Sequence, residues 1–300
     1  MFGELLAVGS AFCLSANSIL MTIIGKRFGS VVAVRGMVTI AFFIATCLHL
    51  VLVGLPDLTI FPVEQVIYLM LAGVLAFSFG AVASMMAFVR IGPRLTSLVV
   101  ALGPIFSSIF AFFIFGEALT LMEMVGIALT LGGIMFVVTE PDKDLDVGTE
   151  AIGSRDYWLG VFFAFCAAIL QSLILILNRK GLATPIEPIT AIWIRLIAGF
   201  AVLWVMTIAQ KQVIFSLKTL ATSPTGLGFL SLSSILGPNM NVFLILSALQ
   251  LAPVGIVSTL SNLKPIILIP LGYLIFNEHI TRRATVGTFV AVTGTVIIFL

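Results

Sequence analysis

Long apolar runs, set one after another with brief charged or Gly/Pro breaks, constrain this chain more than any other feature. A bilayer-crossing helix needs about 20 mostly apolar residues. Windows of that length fall near 3–25, 31–53, 65–89, 95–116, 121–139, 157–178, 188–209, 227–249, 254–276 and 284–300. Their edges carry charges or turn residues, as at Lys26-Arg27, Pro56-Asp57, Gly92-Pro93-Arg94, Gly116-Glu117 and Asn277-Glu278-His279. Each run is continuous and rich in Leu, Ile, Val, Phe and Ala, whereas barrel strands alternate over about ten residues. The expected fold class is an all-α integral membrane protein with ten transmembrane helices.

Composition excludes other classes. The chain is 60% apolar and only 9% charged, against about 25% charged in a soluble domain. A net charge of +2 is too small for a nucleic-acid footprint, so the expected surroundings are a lipid bilayer and no nucleic acid. The 25 Phe, against three Tyr and three Trp, suit a lipid-facing surface. Cys13, Cys47 and Cys166 stand singly inside apolar runs. No metal site, disulfide framework or cofactor is expected from that spacing. No Lys or Arg precedes the first run, so it does not read as a signal peptide.

The two halves of the sequence resemble each other. Gly116-Glu117-Ala118-Leu119-Thr120, followed by Gly126 and Gly133, matches Asn277-Glu278-His279-Ile280-Thr281, followed by Gly287 and Gly294, at an offset of 161 residues. Pro104 pairs with Pro265 at 161, Arg35 with Arg195 at 160, Asn17-Ser18 with Gln171-Ser172 at 154, and Lys26-Arg27 with Arg179-Lys180 at 153. A first repeat is expected over 1–139 and a second over 157–300. Residues 140–156, with Glu140, Asp142, Asp144, Asp146, Glu150 and Asp156, form an acidic linker. Five spans per copy is an odd number, so the second copy crosses in the opposite sense. Two inverted five-helix repeats are an architecture of alternating access.

This pattern resembles the drug/metabolite transporter superfamily, and within it the ten-helix EamA-type transporters. The best-matched segment is Pro104 to Gly133; the second copy departs from it with Asn277 in place of Gly116. The resemblance implies transport of amino acids, drugs, nucleotide derivatives or other metabolites, and termini in the cytoplasm. The Lys/Arg count points the other way. Ten basic residues lie in the loops after helices 1, 3, 5, 7 and 9, and only Arg179 and Lys180 in the remaining loops. The positive-inside rule then puts both termini outside the cytoplasm. The expected location is a cell membrane, crossed many times, and the bacterial inner membrane in particular.

Ionisable groups at membrane depth are functional candidates by default. Lys264 lies about ten residues into the ninth span, in Ser261-Asn262-Leu263-Lys264-Pro265. At the bilayer centre a lysine costs about 2.5–3.5 kcal/mol on insertion scales. It is expected in a water-filled cavity, where its ammonium would pair with a carboxylate or phosphate of the cargo. Pairing within the protein, for the fold alone, is the other reading. Pro265 lacks an N–H and opens the helix ladder beside it. The segment also looks like the lysine-bearing ninth helix of nucleotide-sugar and phosphate translocators.

Arg35 and Arg195 lie a few residues inside their helices, and anchoring by long basic side chains is their first reading. Substrate contact by one of them, Arg195, is the second. Asn17 shares a helix face with Ser10 and Ser18, and Gln171 one with Asn178. These amides, with Asn239, Asn241 and Asn262, serve either cargo binding or interhelical hydrogen bonds. The candidate substrate-binding set is Lys264, Asn262, Asn17, Gln171, Asn241 and Arg195, with no catalytic, cofactor or metal residue expected. Thr120 and Thr281 read as helix N-caps, with Glu123 in a capping box in the first copy. Glu117 and Glu278 read as helix-end caps, and Cys13, Cys47, Cys166 and His49 as packing residues. Prolines at 93, 104, 238, 253, 265 and 270 suggest bent, rocking helices.

No Walker A motif is present, so the chain carries no ATPase of its own. Glu4, at the helix start, is the only acid in the first span. Small cation/proton antiporters of the resembled superfamily use a mid-membrane glutamate there. A cationic drug exporter is therefore disfavoured. The leading expectation is a monomeric secondary transporter, not an enzyme, moving amino acids or organic anions. A multidrug exporter, an intramembrane enzyme acting on a lipid-linked substrate and a channel are the alternatives.

Overall fold

A computed structural model describes residues 2–54, 61–103, 105–106, 110, 121–138, 154–184, 186–221, 224–252, 257, 260–261, 263–276 and 281–298. These fold into helices, with no strand among the described residues. α1 is Phe2–Phe28 and α2 is Ser30–Leu52. α3 (Val63–Val74) runs through a π segment, Leu75–Gly80, into α4 (Ala81–Val100). α5 is Leu121–Val138, α6 is Ser154–Gly181 and α7 is Pro188–Ala209. A short α8, Val213–Ala221, precedes α9, Pro224–Ser234. α9 continues through a second π segment, Ile235–Asn241, into α10, Val242–Leu251. α11 is Lys264–Phe276 and α12 is Arg282–Ile298.

Six described helical stretches are long and apolar enough to cross a membrane: Phe2–Phe28, Ser30–Leu52, Val63–Val100, Arg155–Gly181, Pro188–Ala209 and Pro224–Ala248. The apolar stretches Met124–Val137 and Lys264–Ile275 are shorter. Expected and observed boundaries agree closely for the seventh run. Residues 140–153 of the linker, about half of the fourth expected run, the early part of the ninth, and Pro104, Pro253, Glu117, Thr120 and Glu278 lie outside the described residues, while the expected linker end at Arg155-Asp156 belongs to the first turn of α6. α8 was not anticipated. Outward faces carry large apolar side chains such as Phe43, Val51, Phe162, Val205 and Phe289, the surface a bilayer solvates.

The third and fourth expected runs meet as one nearly continuous helix, broken at Gly92 (φ 74°, ψ 166°). Glycine accepts that left-handed φ without a Cβ clash, and Pro93 then starts the next segment. Buried hydroxyls are satisfied within their own helices. Ser15, Thr22, Thr207, Thr288 and Thr295 each donate to the carbonyl four residues back. This closes their donors where no water reaches. His49 is buried, within 3.3 Å of Thr190 through Nε2 and stacked on Trp193 at 4.8 Å, as a packing residue.

α5 and α12, matched at the 161-residue offset, pack directly on each other. A Cβ on Gly133 would stand 2.5 Å from the Ala291 nitrogen and 2.6 Å from the Gly287 carbonyl oxygen. One on Gly294 would stand 2.5 Å from the Thr130 nitrogen and 2.6 Å from the Gly126 carbonyl oxygen. Residue 133 therefore meets 287–291 while 126–130 meets 294, so the two helices run antiparallel. Small residues permit this close approach, and Thr130 Oγ1 reaches the Ala291 carbonyl at 3.3 Å. Thr281 caps α12 as expected, accepting the Ala284 N–H at 3.0 Å.

Candidate functional site

α1, the two π segments, α4, α6, α7, α10 and the start of α11 surround a cavity of about 330 Å³. Its wall contains Lys264, Arg195, Asn17, Gln171 and Asn241, which is every described member of the expected set. Asn262 lies outside the described residues. Ser10, Ser18 and Asn178 join them, so both expected polar helix faces turn to the same space.

The cations are unusual. Lys264 Nζ lies 5.3 Å from the centroid of the Phe88 ring. The Arg195 guanidinium lies 5.7 Å from that of Phe77. Ring faces attract cations but do not neutralise them. The wall holds no Asp or Glu among the described residues. Arg195 is 5% exposed, and its buried Nε has no hydrogen-bond partner. An unpaired cation in a low-dielectric site is costly, and water or an incoming anion would relieve that cost.

The repeat-matched arginine shares an unpartnered buried Nε but differs at its terminal nitrogens. Arg35 is buried and donates from one terminal nitrogen to Gln212 Oε1 at 2.8 Å and Ser216 Oγ at 2.9 Å. Its other terminal nitrogen donates to Gln210 Oε1 at 2.8 Å. It thus ties α2 to the α7–α8 connection and to α8. The anchoring expectation describes Arg35, although its partners are protein side chains rather than headgroups. Arg195 instead stacks on Phe77 and lines the cavity.

The amides divide in the same way. Asn17 is clamped: its Oδ1 accepts from Ser233 Oγ at 2.6 Å, and a Cβ on Gly237 would stand 2.6 Å from its Nδ2. Glycine at 237 leaves room for that amide. Asn239 serves the backbone. Pro238 has no N–H for the Ser234 carbonyl four residues back, and Asn239 Nδ2 donates to that oxygen at 2.9 Å. Asn178 and Asn241 each keep a buried Oδ1 without a partner. Gln171 is exposed at the cavity wall.

Two features escaped sequence reasoning. The first is the pair of π segments, which begin 160 residues apart at Leu75 and Ile235. Both contribute to the wall, Phe77 and Gly80 from one and Gly237, Pro238 and Asn241 from the other. Such bulges concentrate at functional sites. Gly237-Pro238 was the available signal for the second; nothing comparable marks the first. The other is the role of Phe77 and Phe88 beneath the cations, hidden among 25 phenylalanines. The matched positions are also unlike: Gly103 stands where the second copy has Lys264, and Gly237 where the first has Phe77. The two halves shape one wall with complementary rather than identical side chains.

Helices of membrane length, apolar outside and enclosing a cavity with several polar groups in a mostly apolar wall, define a multi-pass membrane protein. One crystal structure of a protein, 15% identical, covers 98% of this chain and 95% of its own at a TM-score of 0.54. That likeness shows a shared fold. No curated relative matches. The model of the EamA-like transporter family matches residues 1–139 and, separately, 158–300. The chain belongs to the EamA-like transporter family and is a membrane transporter of the drug/metabolite type.

Proposed function

We propose that this protein is a secondary transporter of small polar metabolites, amino acids or organic anions, working by alternating access. The observation that carries this reading is the convergence of Lys264, Arg195, Asn17, Gln171 and Asn241 on one cavity wall. In the proposed architecture ten spans form two inverted five-helix repeats, residues 1–139 and 157–300, joined by the acidic linker. The antiparallel packing of the repeat-matched α5 and α12 supports inversion. The protein works as a monomer in a bacterial inner membrane, without cofactor or catalytic chemistry.

In this reading Lys264 draws in the anionic group of the cargo. Arg195 gives a second donor set, and Gln171, Asn178 and Asn241 fix orientation. Asn17, already held by Ser233, shapes the wall and keeps its Nδ2 for cargo. Rocking of the halves about the π segments and Gly92 would expose the cavity to one side and then the other. A cationic drug would meet two like charges, which disfavours the multidrug alternative.

The test is thermal unfolding of the purified protein with amino acids, phosphorylated metabolites and cationic drugs, beside Lys264→Ala. A ligand at 100 times its Kd raises stability by about 2.7 kcal/mol. The expected outcome is that an anionic or zwitterionic compound stabilises the wild type and not the variant. Equal stabilisation of both proteins by cationic drugs would overturn the proposal.

A further inference from the structure

We infer that the substrate carries two separated anionic groups, one held at Arg195 and the other at Lys264. This rests on the transporter reading above and narrows its cargo to organic dianions of the α,ω-diacid type. Three observations carry it.

The first is charge balance. Both cations line the one cavity, and its described wall supplies no carboxylate to either. A monoanion would leave one cation uncompensated in a low-dielectric site, and a zwitterion would leave both. A dianion neutralises the pair and makes charge-assisted hydrogen bonds at each end.

The second is spacing. Phe77 and Phe88, the rings under Arg195 and Lys264, are eleven residues apart on one helical run. Eleven residues of helix rise about 16 Å, and the second half of the π segment lies inside the interval. The cations therefore approach the cavity from different levels. A single phosphate group, with its charges on one phosphorus, meets one level only; the two carboxylates of a diacid stand apart on a flexible chain, whose best length the binding series below selects. The rest of the wall is largely apolar, with Met21, Met85, Leu175 and Ile245, suiting a methylene chain.

The third is the contrast with Arg35. The repeat-matched arginine has its terminal nitrogens bonded to Gln210, Gln212 and Ser216. Arg195 lacks such partners and retains its donors for a ligand.

The experiment measures binding to the purified full-length protein in detergent. The probes are succinate, glutarate and adipate against butyrate, pentanoate and hexanoate, with serine, alanine and inorganic phosphate alongside. One diacid is expected to bind at least about tenfold tighter than its chain-matched monoacid, since each charged contact contributes that much or more. Arg195→Gln and Lys264→Gln should each reduce the diacid to the monoacid level. Arg195→Lys, which keeps the charge, should retain the preference even if the Gln variant folds poorly. Arg35→Gln should lower thermal stability and leave the preference intact. Binding of monoacids or zwitterions as tight as diacids by the wild type would overturn the dianion assignment while leaving the transporter reading in place. Inorganic phosphate binding tighter than every diacid would overturn the separated-ends geometry. Binding of none of these probes would overturn both readings.

Discussion

Two arginines at one repeat position show how little a residue's identity decides without its surroundings. Arg35 has three side-chain partners within 2.9 Å, and truncating it would remove these charge-assisted hydrogen bonds and the packing of its own buried side chain. Such a loss costs on the order of 2 kcal/mol or more. Arg35→Ala is therefore expected to lower the unfolding temperature clearly in a thermal melt. Arg195→Ala removes a strained charge instead, so the melt of the ligand-free protein should fall less or rise. An equal loss for both variants would show that Arg195 is structural. Gly237 tests the same wall from its other side. Gly237→Ala puts a methyl against the Asn17 amide, 2.6 Å away, and should weaken ligand binding while leaving the helical content by circular dichroism unchanged. Unaltered affinity would remove Asn17 from the site.

At the scale of elements, helix joints set the geometry. The second π segment stands because Pro238 cannot donate to Ser234, and Asn239 fills the gap. Asn239→Leu, similar in size but without donors, removes the side-chain hydrogen bonds to the Ser234 and Ala41 carbonyls and should destabilise the protein by about 1–3 kcal/mol; chemical denaturation would measure it. The α5–α12 contact is the more sensitive joint. Its Cβ positions face backbone atoms at 2.5 Å, and backbone cannot rotate away as a side chain can. Gly133→Leu should separate the helices and lower the melting temperature, with Gly132→Leu, where no atom lies within 4 Å of a Cβ, as the silent control. Similar losses for both would contradict the packing.

These joints also mark the limit of sequence reading. Apolar run length located the membrane-length helices because hydrophobicity over about 20 residues is a strong, local signal. Helical periodicity gathered Ser10, Asn17 and Ser18 on one face, and Gln171 and Asn178 on another, before any tertiary information. The depth of Lys264 singled it out on desolvation cost alone. The π register at Leu75–Gly80 stayed hidden because a one-residue bulge leaves composition unchanged. The divergence of Arg35 from Arg195 was equally invisible, since it depends on α8 and on Gln210 and Gln212, remote in sequence from Arg35. The part played by Phe77 and Phe88 required knowing which few of many phenylalanines face inward.

For the whole molecule, the charge of the empty cavity governs the transport cycle. Unloaded, it holds two cations without a carboxylate in its described wall. Loaded with a dianion it is near neutral. Carrying an unneutralised site through the occluded state needs only about 1.4 kcal/mol extra to slow that step tenfold. Exchange of one anion for another should therefore outpace net movement by about tenfold or more. The most direct measurement is uptake of the tightest-binding diacid of the series, labelled, into proteoliposomes loaded with the same unlabelled diacid or with none, for the wild type and Lys264→Ala. The expected result is rapid uptake only with internal diacid, lost in the variant. Uptake by Lys264→Ala as fast as by the wild type would contradict a transport site built on the central lysine.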